Sequence, residues 1–395
     1  MRAPRVHSFG PFRLEVRERR LWRDGELVPL SGKAFDLLQI LVEGAGALQL
    51  QRDLMDRLWP DVVVDQNNLQ YNVSLVRRAL ADAPGVMIQT VRGQGYRLVA
   101  EIEASGEEVP PVGGTAQRIQ FCRSRDGASL AYAVLGEGPA LVKAANWLSH
   151  VEMDKEGPLW RHWLEHFGRS RTFVRYDARG NGLSDWKPPS ITFEDFVADL
   201  GAVMDAAGIE RAPLLGISQG AAVSVAYAAR NPGRVSALVL VGGCARGWRV
   251  KKNPALTERF EALLALMRHG WGGTNAAFRQ IFTTSFFPDA PKEQMEWFNE
   301  LQRQTAPPEN AAAILSALGD VDVRADLAKV DVPTIVFHSR ADAVVPMKDG
   351  IELASGIRGA QFVPLESSNH VWLASDPAWT RFAADVEAFL RHARA

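Results

Sequence analysis

The chain has 395 residues, 47% of them hydrophobic and 23% charged, with a formal net charge of −1. That length suggests two domains, and the composition excludes wholesale disorder and fibrous structure. The longest apolar runs, such as 235–241, fall well short of the ~20 residues a membrane helix needs, and Cys122 and Cys244 can build neither a disulfide framework nor a metal site.

The N-terminus is basic but has no apolar core ahead of a small-residue cleavage site, so a secretory leader is not expected and the cytoplasm is. No cofactor and no metal are expected. Charge is uneven along the chain. Residues 1–100 carry 14 Lys+Arg against 11 Asp+Glu, a net of +3, whereas the remainder carries 31 against 35, a net of −4. This asymmetry suits an acidic partner for the first part.

In chain order, residues 11–16 and 19–30 alternate around Asp24–Gly25, a tight-turn pair, and predict short strands. Ser31 is placed to cap a helix over 33–43, where Phe35, Leu38 and Leu41 or Val42 share a face. A second, shorter helix over 52–59 stops at Pro60. A third runs over about 65–80, with Leu69, Val73, Val76 and Leu80 on its inner face. Its open side carries Asn67, Tyr71, Ser74, Leu75 and Arg78, with Arg77 on a flank. Hydrogen-bonding side chains so placed are what reading a major groove requires, although periodicity alone describes a solvated helix equally well. Residues 86–91 and 96–99 then flank Arg92–Gly93–Gln94–Gly95, a hairpin with a glycine-rich tip.

The stretches at 30–38, 54–59, 76–80 and 88–98 (the last reading Ile-Gln-Thr-Val-Arg-Gly-Gln-Gly-Tyr-Arg-Leu) occur in order and at matching spacing. Over residues 8–99 the segment resembles the OmpR-type winged-helix DNA-binding domain. The resemblance implies that the third helix enters the major groove of double-stranded DNA. The hairpin would be a wing whose Arg92 or Arg97 meets the minor groove or phosphates. Where family members often carry long polar side chains, this chain has Ser74 and Leu75. Base reading is therefore expected from Asn67, Asn68, Tyr71, Asn72 and Arg78, with Ser74 and Arg77 beside them. Paired half-sites make a homodimer the expected binding form.

Residues 101–117 hold four glutamates, Pro110–Pro111 and Gly113–Gly114 without apolar periodicity, and read as a linker. The expected division is thus 1–100, a linker over 101–117, and 118–395. Beyond the linker, short apolar runs at 140–144, 172–176, 213–217, 236–241 and 334–338 alternate with helical stretches, as in a mostly parallel sheet covered by helices. The interval 245–331 is too long for one crossover and predicts an inserted subdomain over approximately 246–330. Gly216–Ile217–Ser218–Gln219–Gly220 lies between an apolar strand and an alanine-rich helix, the setting of a nucleophile elbow. Asp342 follows the strand at 334–338, and His370 comes 28 residues later. Singly these would be a turn-capping carboxylate and a loop histidine; in the order Ser, Asp, His they form a candidate triad.

This part resembles the α/β-hydrolase fold over about 118–392, as do Asp177–Ser184 and the Asn-Pro-Gly-Arg-Val stretch at 231–235. The resemblance implies Ser218 as nucleophile, His370 as general base and Asp342 as the group that orients it. Its oxyanion hole would use the backbone N–H of Gln219 and that of Trp147, although Ala144–Ala145–Asn146–Trp147 stands where the usual pattern has His-Gly. The insertion takes the place of a cap rich in aromatic residues, about two-thirds of which are expected to be packing. Asn146, Trp147, Trp248, Phe282, Phe286 and Phe287 are the candidates for lining a ligand pocket.

The fold class expected is α/β: an N-terminal winged helix-turn-helix (α+β) joined to a C-terminal α/β-hydrolase fold with a cap insertion. The function expected is a cytoplasmic one-component transcriptional regulator, controlled by binding and hydrolysis of a small ester- or lactone-like molecule. The rivals are a serine esterase or lactonase with an accessory DNA-binding domain, and a receptor with an inert triad.

Overall fold

Residues 6–16, 20–28, 30, 32–58, 66–81, 83–91, 94–100, 102–105, 117–273 and 275–393 are described by a computed structural model, in which the chain divides into two units, 1–112 and 113–395. In the first unit the strands β1 (Val6–Phe9), β2 (Phe12–Glu15), β3 (Arg20–Arg23) and β4 (Glu26–Val28) follow one another as an antiparallel meander. Alternation sends Phe9, Phe12, Leu14 and Leu21 inward. They meet α1 (Gly32–Glu43), α2 (Gln51–Leu58) and α3 (Gln66–Ala79) in one apolar cluster containing Leu37, Leu38, Leu41, Leu54, Leu69, Val73, Val76 and Leu80. The two-residue strand β5 (Gln49–Leu50) joins the hairpin β6 (Met87–Val91) and β7 (Gly95–Val99) in the order β5-β7-β6. Gly95 permits that junction, because a Cβ there would lie 2.0 Å from the carbonyl oxygen of Gln49.

One expectation is corrected here. Residues 102–105, assigned above to the linker, form β8 (Ile102–Ser105), which pairs antiparallel with β1 from Val6↔Ser105 to Phe9↔Ile102. The segment lacks a run of apolar residues because an edge strand is held by its ladder rather than by burial on both faces. Ser31, Trp59 and Pro60, proposed as helix boundaries, lie outside the described residues.

In the second unit β9 (Arg118–Arg123) and β10 (Ser129–Leu135) enter antiparallel. The parallel strands are β11 (Ala140–Lys143), β12 (Thr172–Tyr176), β13 (Ala212–Ile217), β14 (Val235–Val241), β15 (Thr334–Ser339) and β16 (Gln361–Leu365). The sheet order is β16-β15-β14-β13-β11-β12-β10-β9. Alternate residues supply two separate cores. Val142, Val174, Leu214, Leu240 and Val336 face one, and Leu141, Phe173, Leu215, Val241 and Phe337 the other. Both faces are covered by the crossing helices α4 (Met153–Glu156), α5 (Arg161–Gly168), α6 (Phe193–Ala206), α7 (Gln219–Arg230), α13 (Met347–Ser355) and α14 (Pro377–His392). Between β14 and β15 the chain inserts α8 (Pro254–Gly270), α9 (Ala277–Phe286), α10 (Lys292–Thr305), α11 (Pro308–Gly319) and α12 (Arg324–Leu327), and an isolated Arg246↔Asp322 bridge joins the insertion's two ends. Among the described residues no helix is long and apolar enough to cross a membrane.

Candidate functional site

The loops leaving the C-terminal ends of β11, β13, β15 and β16 carry Trp147, Ser218, Asp342 and His370, respectively. This edge is where an open α/β sheet gathers ligand-binding groups, since the parallel strands β11 to β16 all end there. Ser218 has φ 52° and ψ −116°, a left-handed conformation that costs of order 1–3 kcal/mol outside glycine. The turn closes because Gly216 has no side chain; a Cβ there would lie 2.6 Å from the carbonyl oxygen of Gly220 and 2.7 Å from Ser224 Oγ. Gln219 opens α7, so its N–H has no preceding helical carbonyl to bond and is available beside the serine.

His370 and Asp342 form a buried pair, Nδ1 to Oδ2 at 2.6 Å. The carboxylate's other oxygen accepts the N–H groups of Val344 and Val345 at 2.8 and 2.9 Å. Burial works against the Asp342 charge. The charge on His370, its hydrogen bond, the Val345 N–H and the nearby His338 outweigh burial and hold the carboxyl below its usual range. With Nδ1–H donating to that carboxylate, Nε2 carries the imidazole lone pair. Nε2 is buried and makes no hydrogen bond, so the serine–histidine contact is open in this conformation. The insertion reaches the same histidine: its N–H donates to the Phe286 carbonyl at 2.8 Å, and the two rings meet edge to face at 5.1 Å.

Trp147 is buried, stacked on Phe282 and edge-on to Trp271, each at 6.0 Å. Phe286 thus lies against the histidine, and Phe282 against the Trp147 of the loop that follows β11. Two other pocket candidates are corrected. Trp248 stacks on Phe260 at 5.2 Å and donates to the Leu315 carbonyl, packing α8 against α11. Phe287 turns into the other core against Phe298 at 5.0 Å. Periodicity identifies such residues as buried without saying which side of the insertion they face.

Behind the Trp147 loop lies a charged cluster that composition concealed. Lys143, within a strand read as an apolar run, is buried; it donates to Asn146 Oδ1 and sits 5.1 Å from the Trp160 ring centre. Burial pulls its ammonium down to about 8. Arg175 bonds Asp154 at 3.0 Å and also reaches the Val151 carbonyl and Gln117. Asp177 accepts the N–H groups of Val151 and Leu183, both at 2.9 Å. Burial pushes the carboxyls of Asp154 and Asp177 upward. A lone lysine in an otherwise apolar strand was the signal that could have revealed this cluster. Among the described residues no group of three or more His, Cys, Asp or Glu side chains could hold a metal ion.

In the first unit, Asn68, Ser74 and Arg78 are exposed on α3. Asn72 is buried and donates back to the Asn68 carbonyl, so it does not face outward as expected. It stands about 60° round the helix from the Leu69–Val76 stripe, close enough to be drawn into the core edge. Arg77, although exposed, is committed to the wing: it bonds the Ile88 carbonyl at 3.0 Å and Thr90 Oγ1 at 2.6 Å. Arg97 is exposed and bonds Gln89 Oε1 at 2.7 Å. Arg92 and the side chains of Asn67 and Tyr71 lie outside the described residues.

A family model described as alpha/beta hydrolase fold matches residues 154–377, and one described as transcriptional regulatory protein, C terminal, matches residues 25–98. The AB hydrolase superfamily protein YisY of Bacillus subtilis is 30% identical over 51% of this chain and 75% of its own length. The 3-oxoadipate enol-lactonase 2 of Acinetobacter baylyi is 25% identical over 67% of this chain and 93% of its own. Among solved structures, a hydrolase from Pseudomonas aeruginosa superposes with a TM-score of 0.59 at 26% identity, covering 69% of this chain and 98% of that one. The fold also matches an enol-lactonase from Burkholderia xenovorans with a TM-score of 0.57 at 24% identity, over 69% of this chain and all of that one.

Proposed function

The chain belongs to the α/β hydrolase fold family, and on that premise we propose that it is a DNA-binding regulator controlled by a small ester- or lactone-like molecule bound, and hydrolysed, at Ser218. The observation that carries this reading is the presence in one chain of a DNA-binding type of unit and a strained serine near a buried His370–Asp342 pair. In the proposed reaction Ser218 Oγ attacks the acyl carbon while His370 Nε2 takes its proton. Asp342 keeps the imidazole in the tautomer that can accept it and stabilises the imidazolium formed. The backbone N–H groups of Gln219 and Trp147 receive the oxyanion, and His370 returns the proton to the departing alcohol. Water then attacks the acyl-serine by the same route in reverse roles. The aromatic faces of Trp147, Phe282 and Phe286 suit an apolar acyl or ring system.

On the DNA side, α3 is the proposed major-groove reader, with Asn68, Ser74 and Arg78 outward and Arg97 on the wing, in a homodimer bound to paired half-sites in the cytoplasm. Fluorescence anisotropy with the chain's own upstream DNA, at stated salt and with and without an ester effector, tests this reading. Selective binding that shifts with the effector supports it; no sequence preference at any salt removes it. A reporter comparison of wild type with Ser218→Ala decides whether turnover, rather than occupancy, carries the signal.

A second reading is a serine esterase or lactonase with an accessory DNA-binding domain, favoured by the likeness to curated lactonases and hydrolases across nearly their whole length. Efficient turnover of p-nitrophenyl esters without selective DNA binding would support it over the first.

A further inference from the structure

The loop that follows β11 departs from ordinary backbone geometry. Leu148 has φ 47°, a left-handed conformation unfavourable for a leucine. Such strain persists only where surrounding contacts over-determine it. The contacts here form a chain: Lys143 Nζ donates to Asn146 Oδ1, and Asn146 Nδ2 donates to the Trp147 carbonyl at 3.2 Å. That carbonyl belongs to the peptide joining Trp147 to the strained Leu148. Lys143 is an expensive way to fill a core, since a buried ammonium loses several kcal/mol of hydration and an apolar side chain of similar length would pack as well. Nor is its hydrogen bond spent on a carboxylate. Asp154 is taken by Arg175, and Lys143's bond goes to a neutral amide in the loop.

We propose that Lys143, acting through Asn146, is the positioning residue of the oxyanion loop, holding the Trp147 backbone N–H toward the acyl oxygen on Ser218. This rests on the reading of Ser218 as an acyl-transfer nucleophile. The pair takes over in side-chain form the ordering expected of the His-Gly pattern that this chain lacks. Lys143 faces Asn146 on its own loop, Asp154 in α4, Trp160 before α5, and Arg175 and Asp177 at the end of β12. Loss of its proton weakens the charge-assisted bond to Asn146, so rising pH through about 8 loosens the loop.

The test is steady-state hydrolysis of p-nitrophenyl butyrate by the full chain between pH 6 and 9.5, with Ser218→Ala as the blank. Lys143→Met and Asn146→Ala should each lower kcat about ten- to a hundredfold with KM changed less than about threefold, since the loss falls on the oxyanion rather than on substrate binding. The double variant should fall no further than the worse single one, because the two residues act in series. Wild-type kcat should fall as pH rises through about 8, and that fall should flatten in Lys143→Met. Unchanged kcat in a folded Lys143→Met, or losses that multiply in the double variant, would overturn the proposal while Ser218-dependent hydrolysis stands. Should Lys143→Met melt far below wild type, Asn146→Ala, which removes no charge, decides alone: an unchanged kcat there overturns it. Wild-type hydrolysis no greater than the Ser218→Ala blank overturns the serine reading, and this inference with it.

Discussion

The two units hold their candidate functional side chains by opposite means. In the second unit, Ser218, Asp342 and His370 sit on connections from strand to helix, and backbone groups clamp the last two: Val344 and Val345 grip Asp342, and the Phe286 carbonyl grips the His370 backbone N–H. In the first unit, Asn68, Ser74 and Arg78 stand exposed on the outer face of α3, above the apolar stripe that seats the helix. Chemistry at one carbon atom needs groups fixed to fractions of an ångström, whereas groove reading needs a face at the right height and side chains able to settle on bases and phosphates. The first unit spends its rigidity elsewhere, in the wing, where Arg77 ties α3 to β6 and Gly95 lets β5 close on β7.

The contrast can be broken most forcefully at the serine. Ser218→Ala should reduce ester hydrolysis by about a million-fold while leaving DNA affinity measured by anisotropy unchanged. A large change in DNA affinity without any ester present would mean that the two kinds of site are not separable. Next in size, Asp342→Asn should lower kcat about 10⁴-fold through the wrong imidazole tautomer, with little loss of fold. The same carboxyl sharpens the pH expectation. Its folded value lies below its ordinary one, so its stabilising charge is fully present above about 4 and is lost only as pH falls through the lower folded value. Urea unfolding followed against pH should therefore lose this contribution only below about pH 4, and Asp342→Asn should remove it.

Smaller effects address the first unit. Gly95→Ala forces a Cβ onto the Gln49 carbonyl and should destabilise that unit by about 3 kcal/mol. Calorimetry should show the transition of the first unit lowered and that of the second unmoved; a common shift would show the two melting as one. Arg78→Ala should weaken DNA binding by about 1 kcal/mol and reduce the salt slope by about 1, whereas Asn72→Ala, at a buried position, should leave the salt slope alone. Equal effects of the two would mean that α3 presents a different face from the one described.

Most of what positions the second site was legible in the sequence, because its motifs carry backbone requirements. The run before Ser218 had to be a buried strand and Gly216 had to lack a side chain, and Asp342 and His370 followed strands in the necessary order. What escaped was whatever depends on the direction a buried side chain takes. Trp248 and Phe287 are as apolar as Phe282, and only the path of the insertion turns them away from His370. Asn72 shows the same limit on a helix, where a polar residue beside the stripe is drawn inward. Strand β8 escaped because its partner β1 lies about a hundred residues away in sequence, and edge pairing leaves little compositional trace. Lys143 was hidden by the opposite habit, that of reading any short run of mostly apolar residues as inert.

The hydrogen bond from the His370 N–H to the Phe286 carbonyl joins the end of α9 to the loop that carries the imidazole. The insertion and the base are thus mechanically in series. Displacing that helix end by more than about half an ångström lengthens the bond beyond its useful range. The backbone of the loop that carries the imidazole then loses one of its anchors, although Asp342 still holds the ring. With His370 as the base proposed above, a guest that displaced this helix end would disturb the loop of the base as well as the way in, so its size would be read in proton transfer as well as in entry.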